Sequence, residues 1–407
     1  MSAQRSLWPR SDITAFAQHL FALLPRTDQR QWAEAYLRGL LTVSGRKSLQ
    51  RLASAVPDSP TASQCLQQFI NASPWDWVPV RRELARTVAA AGPVTALTLG
   101  MAVIPKRGEH SVGVHRRFVT SAGRTLSCQV GLGLFLSDEE CSVPVDWELV
   151  LDQGWRDDAD RLRRARVPDD AARRPEWAQV LDLVDRRVAG PLPSRTPIVA
   201  DLHDLHGMDR LPAALTERGL DYLLRLPPGR LLVPAAGTPV RPVPARGTEA
   251  LFPSGPARHR PLSLASVPVR VAGTDVAHRL WFHRPTADRR AVHHYLTSMA
   301  DAGADRIASL LRHAERTRAA VTALGDSFGM LQFAGRSFPG WHHHMTMTSA
   351  AYAYSRLTGG SGPVTAHTTT PASPWHRPYD GPASQGPVDP GLADGSTTGC
   401  RVGSRAG

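Results

Sequence analysis

Residues 1–90 carry apolar side chains at helical spacing. Ile13, Phe16, Ala17, Leu20, Leu23 and Leu24 define one helix, and Trp32, Tyr36, Leu37, Leu40 and Leu41 a second. A basic cluster of Arg46, Lys47 and Arg51 follows, with Leu52 packing behind it. Thr61 and Gln64 are expected to form a capping box ahead of Leu66, Phe69 and Ile70. Ser73-Pro74-Trp75-Asp76 reads as a further helix start, with Ser73 as the cap, Pro74 first in the helix and Asp76 favoured by the helix dipole. Leu84 and Val88 then face inward.

After Ala91-Gly92-Pro93 the period changes to that of strands. Residues 94–99 are an apolar run suited to the centre of a sheet. Lys106-Arg107-Gly108 is a turn, and Val112, Val114 and Phe118 alternate imperfectly with His115, Arg116 and Arg117 in an exposed basic strand. Ser121-Ala122-Gly123-Arg124 is a hairpin turn, residues 128–136 return as a buried strand, and residues 143–151 add another with Trp147 and Leu149 on one face. Short turns between adjacent strands predict an antiparallel meander.

Residues 155–187 read as helical and charged, with Trp177, Val180, Leu181 and Val184 inward. A linker at 191–197 leads to the short strand Ile198-Val199-Ala200, which Asp201 ends. A helix at 211–218 and a strand at 222–226 complete a strand–helix–strand unit. Its carboxylate lies at the carboxyl end of the first strand, the edge where α/β sheets bind ligands and metals. Residues 227–261, rich in Pro, Gly and Arg, read as an irregular insertion, followed by strands at 267–271, 279–282 and 292–296. Ile307, Leu310, Leu311 and Val321 define a helix whose polar face carries Arg312, Glu315 and Arg318. Ser337-Phe338-Pro339-Gly340-Trp341 opens a last helix with Met347, Ala351, Tyr354 and Leu357 inward. The expected organisation is a helical domain at 1–92, a mixed α/β core at 93–357 with a β-rich insertion near 227–290, and a tail at 358–407 too poor in large apolar residues to order itself.

Composition adds little to the fold and something to the partners. The 407 residues carry a net charge of +12, and Arg supplies nearly all of the positive charge while Lys is scarce. Arginine suits phosphate contacts, although a high-GC genome produces the same bias. The four cysteines, Cys65, Cys128, Cys141 and Cys400, form no C-x-x-C pair, which argues against a zinc site or disulfide framework. No apolar signal core or long apolar run is present, so a cytoplasmic protein with no membrane partner is expected.

Four strings carry a resemblance to a known family. The first is Lys106-Arg107-Gly108, Ser111 to Phe118, Ser121-Ala122-Gly123-Arg124 and Cys128-Gln129-Val130-Gly131. The second runs from Leu151 to Trp155-Arg156-Asp157-Asp158. The third is Val199-Ala200-Asp201 with Gly207 downstream, and the fourth is Pro339-Gly340-Trp341-His342. In that order, over residues 30–357, they resemble bacterial insertion-sequence transposases of the DDE superfamily, with a ribonuclease H-like endonuclease domain. The resemblance implies a mixed sheet with flanking helices, double-stranded DNA (the element ends) as partner, and a homodimer as one candidate assembly. It also implies Mg²⁺-dependent strand cleavage and transfer, in which paired ions held by Asp and Glu activate the attacking oxygen and stabilise the leaving one.

Carried onto this chain, the first Asp position is Gly100, the second is Asp201, and the Glu falls near Arg318, with Glu315 the nearest carboxylate. One clear ligand does not hold two ions, so impaired catalysis is expected. An active enzyme whose carboxylates lie elsewhere, and a DNA-binding derivative without chemistry, are the alternatives. Expected DNA contacts are Lys106, Arg107, Arg116, Arg117, Arg124, Trp341 and His342. Each residue also has a plainer reading. Asp201 is then a strand-end cap, His203, Asp204 and His206 a polar loop rather than a metal site, and Arg116, Arg117 and Arg124 a solvated face. Glu315 is then a partner of Arg312 or Arg318.

Overall fold

The helices that precede the sheet are α1 (Ile13–Phe21), α2 (Thr27–Thr42), α3 (Leu49–Leu52), α4 (Ala62–Asn71) and α5 (Trp77–Ala91). They belong to a computed structural model that describes residues 12–56, 59–188, 196–227, 231–234, 243–244, 263–271, 276–284 and 292–359. Two expected helix starts differ. The box at Thr61 does not form, because Thr61 sits at φ −98°, ψ 2° rather than in the extended region from which a cap side chain reaches back. The helix expected from Ser73 begins at Trp77, capped by Asp76, whose Oδ1 accepts from Val78 N at 2.9 Å. Trp75 is withdrawn from it, because its ring is buried between Phe69 and His343. Ser73 Oγ instead accepts from Gln29 Nε2 at 3.0 Å.

The meander follows as β1 (Ala96–Pro105), β2 (His115–Val119), β3 (Arg124–Ser137) and β4 (Ser142–Val150). Strand β1 runs past Gly100 to Pro105, because β3 pairs with it from Ala96↔Ser137 to Pro105↔Cys128. Both β2 and β4 pair with β3, one along residues 124–128 and the other along 130–137. The expected helical stretch at 155–187 is broken into α6 (Gln153–Arg156), α7 (Ala159–Ala165), α8 (Asp169–Arg173) and α9 (Glu176–Val188). Caps at Asp152 and Asp158 start the first two, and Pro168 and Pro175 interrupt the rest.

Next come β5 (Ile198–Ala200), α10 (Leu211–Glu217) and β6 (Tyr222–Leu226). The insertion contributes β7 (Leu231–Pro234), β8 (Val243–Pro244), β9 (Ser263–Arg270) and β10 (Ala277–Arg284), then β11 (His293–Thr297), α11 (Ala304–Asp326) and α12 (Phe338–Leu357) complete the chain of elements. Strands β5 and β6 run parallel to β1, whereas β11, β10 and β9 follow β6 with each strand antiparallel to its neighbour, so core and insertion share one mixed sheet. The order β4-β3-β1-β5-β6, with three antiparallel strands followed by two parallel ones, matches the ribonuclease H-like sheet expected. The remainder of the insertion and the expected tail beyond residue 359 lie outside the described residues.

Helix α11 covers one face of the sheet, where Ile307, Leu310 and Leu311 pack on Ala96, Val199, Leu223, Trp281 and Tyr295. Helix α12 packs against β4 and against α2, α4 and α5. Apart from half-buried Pro339 it is buried from Phe338 through Tyr354, so its expected inward stripe is only part of an enclosed surface. Glycines on β3 make room for this packing, since a Cβ on Gly131 would lie 3.0 Å from the Trp341 ring and one on Gly133 2.7 Å from that of Trp147. No helix among the described residues is long and apolar enough to cross a membrane.

Candidate functional site

The parallel register ends at Leu99↔Ala200, so Asp201, just past the carboxyl end of β5, adjoins Gly100 midway along β1. Helix α11 crosses above them. A Cβ built on Gly100 would lie 2.8 Å from Thr317 Cγ2 and 3.2 Å from Phe135 Cε2. Thr317 is not free to turn aside, because its Oγ1 bonds Thr98 Oγ1 at 2.5 Å, Ser142 Oγ at 3.0 Å and the His313 carbonyl at 3.1 Å. The next residue, Arg318, reaches down to Asp201. Gly100, Asp201 and Arg318 therefore meet at one point.

The carboxylate of Asp201 is fully engaged. His203 Nδ1 lies 2.7 Å from Oδ1, Arg225 Nη1 is 3.2 and 3.0 Å from the two oxygens, and Arg318 Nη2 is 3.1 Å from Oδ2. Burial opposes ionisation of Asp201, but the His203 hydrogen bond and the charges of Arg225, His203 and Arg318 outweigh it. They hold the carboxyl well below its ordinary range. His203 also faces Asp204 Oδ1, 3.4 Å from its Nε2. The loop that carries His203 is tied down from two sides. Arg117 pairs with Glu176 at 3.2 Å and donates to the Asp204 carbonyl, and Thr120 Oγ1 donates to Asp204 Oδ1 at 2.8 Å. Glu176 accepts from His206 N at 2.7 Å, and Gly207 closes the loop at φ +73°, where a Cβ would strike Trp177 at 2.6 Å.

This donor set does not fit a divalent ion. Mg²⁺ needs several oxygen ligands, whereas Gly100 offers none, Arg318 brings a cation to the third position, and both Asp201 oxygens already face guanidinium groups. Among the described residues no group of three or more His, Cys, Asp or Glu is placed to hold a metal, the His203-Asp204-His206 loop included. Glu315 is exposed on α11, close enough to influence His283 and Tyr295 electrostatically, and forms no ion pair with Arg312 or Arg318 among the described residues. Arg318 has turned to Asp201 instead.

The expected DNA contacts fall into three environments. Arg107, Arg116 and Arg124 are exposed. Lys106 is half-buried, donates to the Phe333 carbonyl at 2.5 Å, and has its pKa pushed down to about 8 by burial. Arg117 is committed to Glu176 and Asp204, so it corrects the picture of an evenly exposed basic strand. Trp341 and His342 are enclosed, with the His342 ring stacked on Trp77 at 4.5 Å, and in this structure they present no surface to a phosphate.

Several site residues escaped the sequence reading. Arg225, a partner of Asp201, is one, and an Arg within the apolar strand Tyr-Leu-Leu-Arg-Leu was the available signal for it; His203 was read as part of a polar loop, not as a partner of Asp201. Arg46 and Arg336 join Lys106, Arg107 and His110 along one depression, and Arg336 and His110 adjoin Arg161 and Arg164 in the next. Only proximity in the fold unites those arginines.

A model of the family described as DDE superfamily endonuclease matches residues 19–297, a span that includes Gly100, Asp201 and Arg225 and ends before α11. Among solved structures, the piggyBac transposase synaptic complex with hairpin DNA, seen by cryo-electron microscopy, is similar at a TM-score of 0.43 and 13% identity, covering 86% of this chain and 72% of that one. No curated protein matches the chain in sequence.

Proposed function

The chain belongs to the DDE superfamily endonucleases, and from that premise we propose that it is an insertion-sequence transposase-like protein that binds double-stranded DNA and has lost Mg²⁺-dependent strand cleavage and transfer. One observation carries the reading: Asp201 is held by Arg225, Arg318 and His203, so the one carboxylate of the expected set has protein cations as partners. Gly100 supports it, because the position beside Asp201 lacks a ligand and has no room for one while Thr317 stays in place. The basic depressions lined by Arg46, Arg107, Arg164 and Arg336 support the DNA partner, since clustered arginines attract a phosphate backbone through charge and bidentate bonding. A homodimer, one copy at each element end, is the assembly this reading carries.

Incubation of supercoiled plasmid with the protein and Mg²⁺ or Mn²⁺ tests the reading. The expected result is no nicking above background, together with retention of linear duplex that weakens as salt rises. Metal-dependent cleavage that Asp201→Ala abolishes would overturn it.

A further inference from the structure

We propose that Arg225 and Arg318, aligned by Asp201, form a metal-independent binding site for a DNA phosphate at the carboxyl ends of β5 and β6, beside the middle of β1. The inference rests on the reading that the chain binds DNA, and it assigns the contact at this edge to arginine rather than to metal ions.

Charge and depth support it. One carboxylate faces two guanidinium groups, so Asp201, Arg225 and Arg318 together carry about one net positive charge. The side chain of Asp201 is 17% exposed and that of Arg225 20%, whereas that of Arg318 is 60% exposed. The carboxylate therefore sits behind and the most accessible cation in front. Asp201 takes one nitrogen from each arginine, Nη1 of Arg225 and Nη2 of Arg318. The other guanidinium nitrogens have no bonded partner among the described residues. Planar, permanently charged guanidinium groups with unused N–H donors match phosphate oxygens bidentately. The carboxyl ends of the short parallel strands β5 and β6 are where sheets of this kind receive ligands.

Anisotropy of a short labelled duplex, titrated across a salt series in EDTA and again in MgCl₂, tests the proposal. Wild type is expected to bind equally in both. Arg318→Gln is expected to weaken binding several-fold and to lower the slope of log affinity against log salt by about one, the contribution of a single phosphate contact. Arg318→Lys, which keeps the charge and loses the fork, is expected to keep the slope and recover part of the affinity. Thermal unfolding confirms that the variants fold. Unchanged affinity and slope in Arg318→Gln would overturn the proposal while leaving DNA binding intact, and so would wild-type binding that vanishes in EDTA. If wild type retains no duplex even at low salt, the DNA reading falls and the site falls with it.

Discussion

Asp146 and Asp201 are each held by two arginines, in opposite surroundings. Asp146, on β4, has a side chain 7% exposed, and its partner Arg81 is 3% exposed. Every nitrogen of Arg81 is engaged: Nε on Thr346 Oγ1 at 2.8 Å, Nη1 on Asp146 at 3.1 Å and the Trp147 carbonyl at 2.8 Å, and Nη2 on the His342 carbonyl at 2.9 Å. Arg186 closes the far side, 3.0 Å from Asp146 and 2.7 Å from Glu148. This network joins α5, β4, α9 and α12. Burial opposes the charge on Asp146, yet Arg186 and Arg81 still hold its pKa below the usual value. The pair at Asp201 has the same chemistry, but its outer arginine faces solvent with donors to spare. Enclosure thus separates a structural joint from a receptive edge, although the residue types are the same.

The largest effect that sharpens this contrast is expected at the closed network. Arg81→Met should cost about 3–5 kcal/mol, because it leaves Asp146 buried beside one cation instead of two and strips hydrogen bonds from two elements. The urea midpoint reads it, and a near-neutral value would erase the distinction. Next, Gly100→Asp should destabilise by about 1–3 kcal/mol through overpacking against Thr317. Adding Thr317→Ser, which removes Cγ2 and keeps the hydroxyl bonds, should recover most of that loss; no recovery would place the strain elsewhere.

Acid should act before either aspartate titrates. His344 is buried, with Tyr36 at one ring nitrogen and the Gly329 carbonyl at the other, and burial lowers its pKa from 6.5 to about 4. Its folded pKa is depressed, so the unfolded chain binds the proton first. The associated stability is complete above pH 6.5 and is lost as pH falls toward 4. Between pH 7.5 and 5.5 His344 should account for about 1.4 kcal/mol of lost stability, beside what His342, His343 and His293, depressed by burial in the same way, add, and His344→Gln should make that part of the profile shallower by that amount. Asp201 works in the same direction but at lower pH, its contribution being present above 3.8 and lost below it. The smallest effect on stability is expected from Arg318→Gln, about 1 kcal/mol or less, as for other ion pairs with an exposed partner. A loss as large as that of Arg81→Met would make Arg318 a structural residue.

Much of the sheet was legible because strand period, turn glycines and the short run before Asp201 are local signals. The convergence of Gly100, Asp201 and Arg318 was legible only through motif order. What sequence could not supply was pairing across distance. Nothing near Arg81 or Arg186 in the chain foretells Asp146. Arg117 looked like its neighbour Arg116 until β2, α9 and the Asp204 loop came together. The failed cap at Thr61 shows the reverse limit: the right residue spacing is not enough when the backbone angle is wrong.

On the proposed reading, the small space above Gly100 also sets a direction for change. Restoring one carboxylate at that position first meets the pinned Thr317 methyl, and restoring one at Arg318 first deprives Asp201 of a counter-ion. Each single step is unfavourable before the next can reward it. The order of substitutions therefore acts as a ratchet, and a lineage carrying this arrangement drifts onward far more readily than it returns.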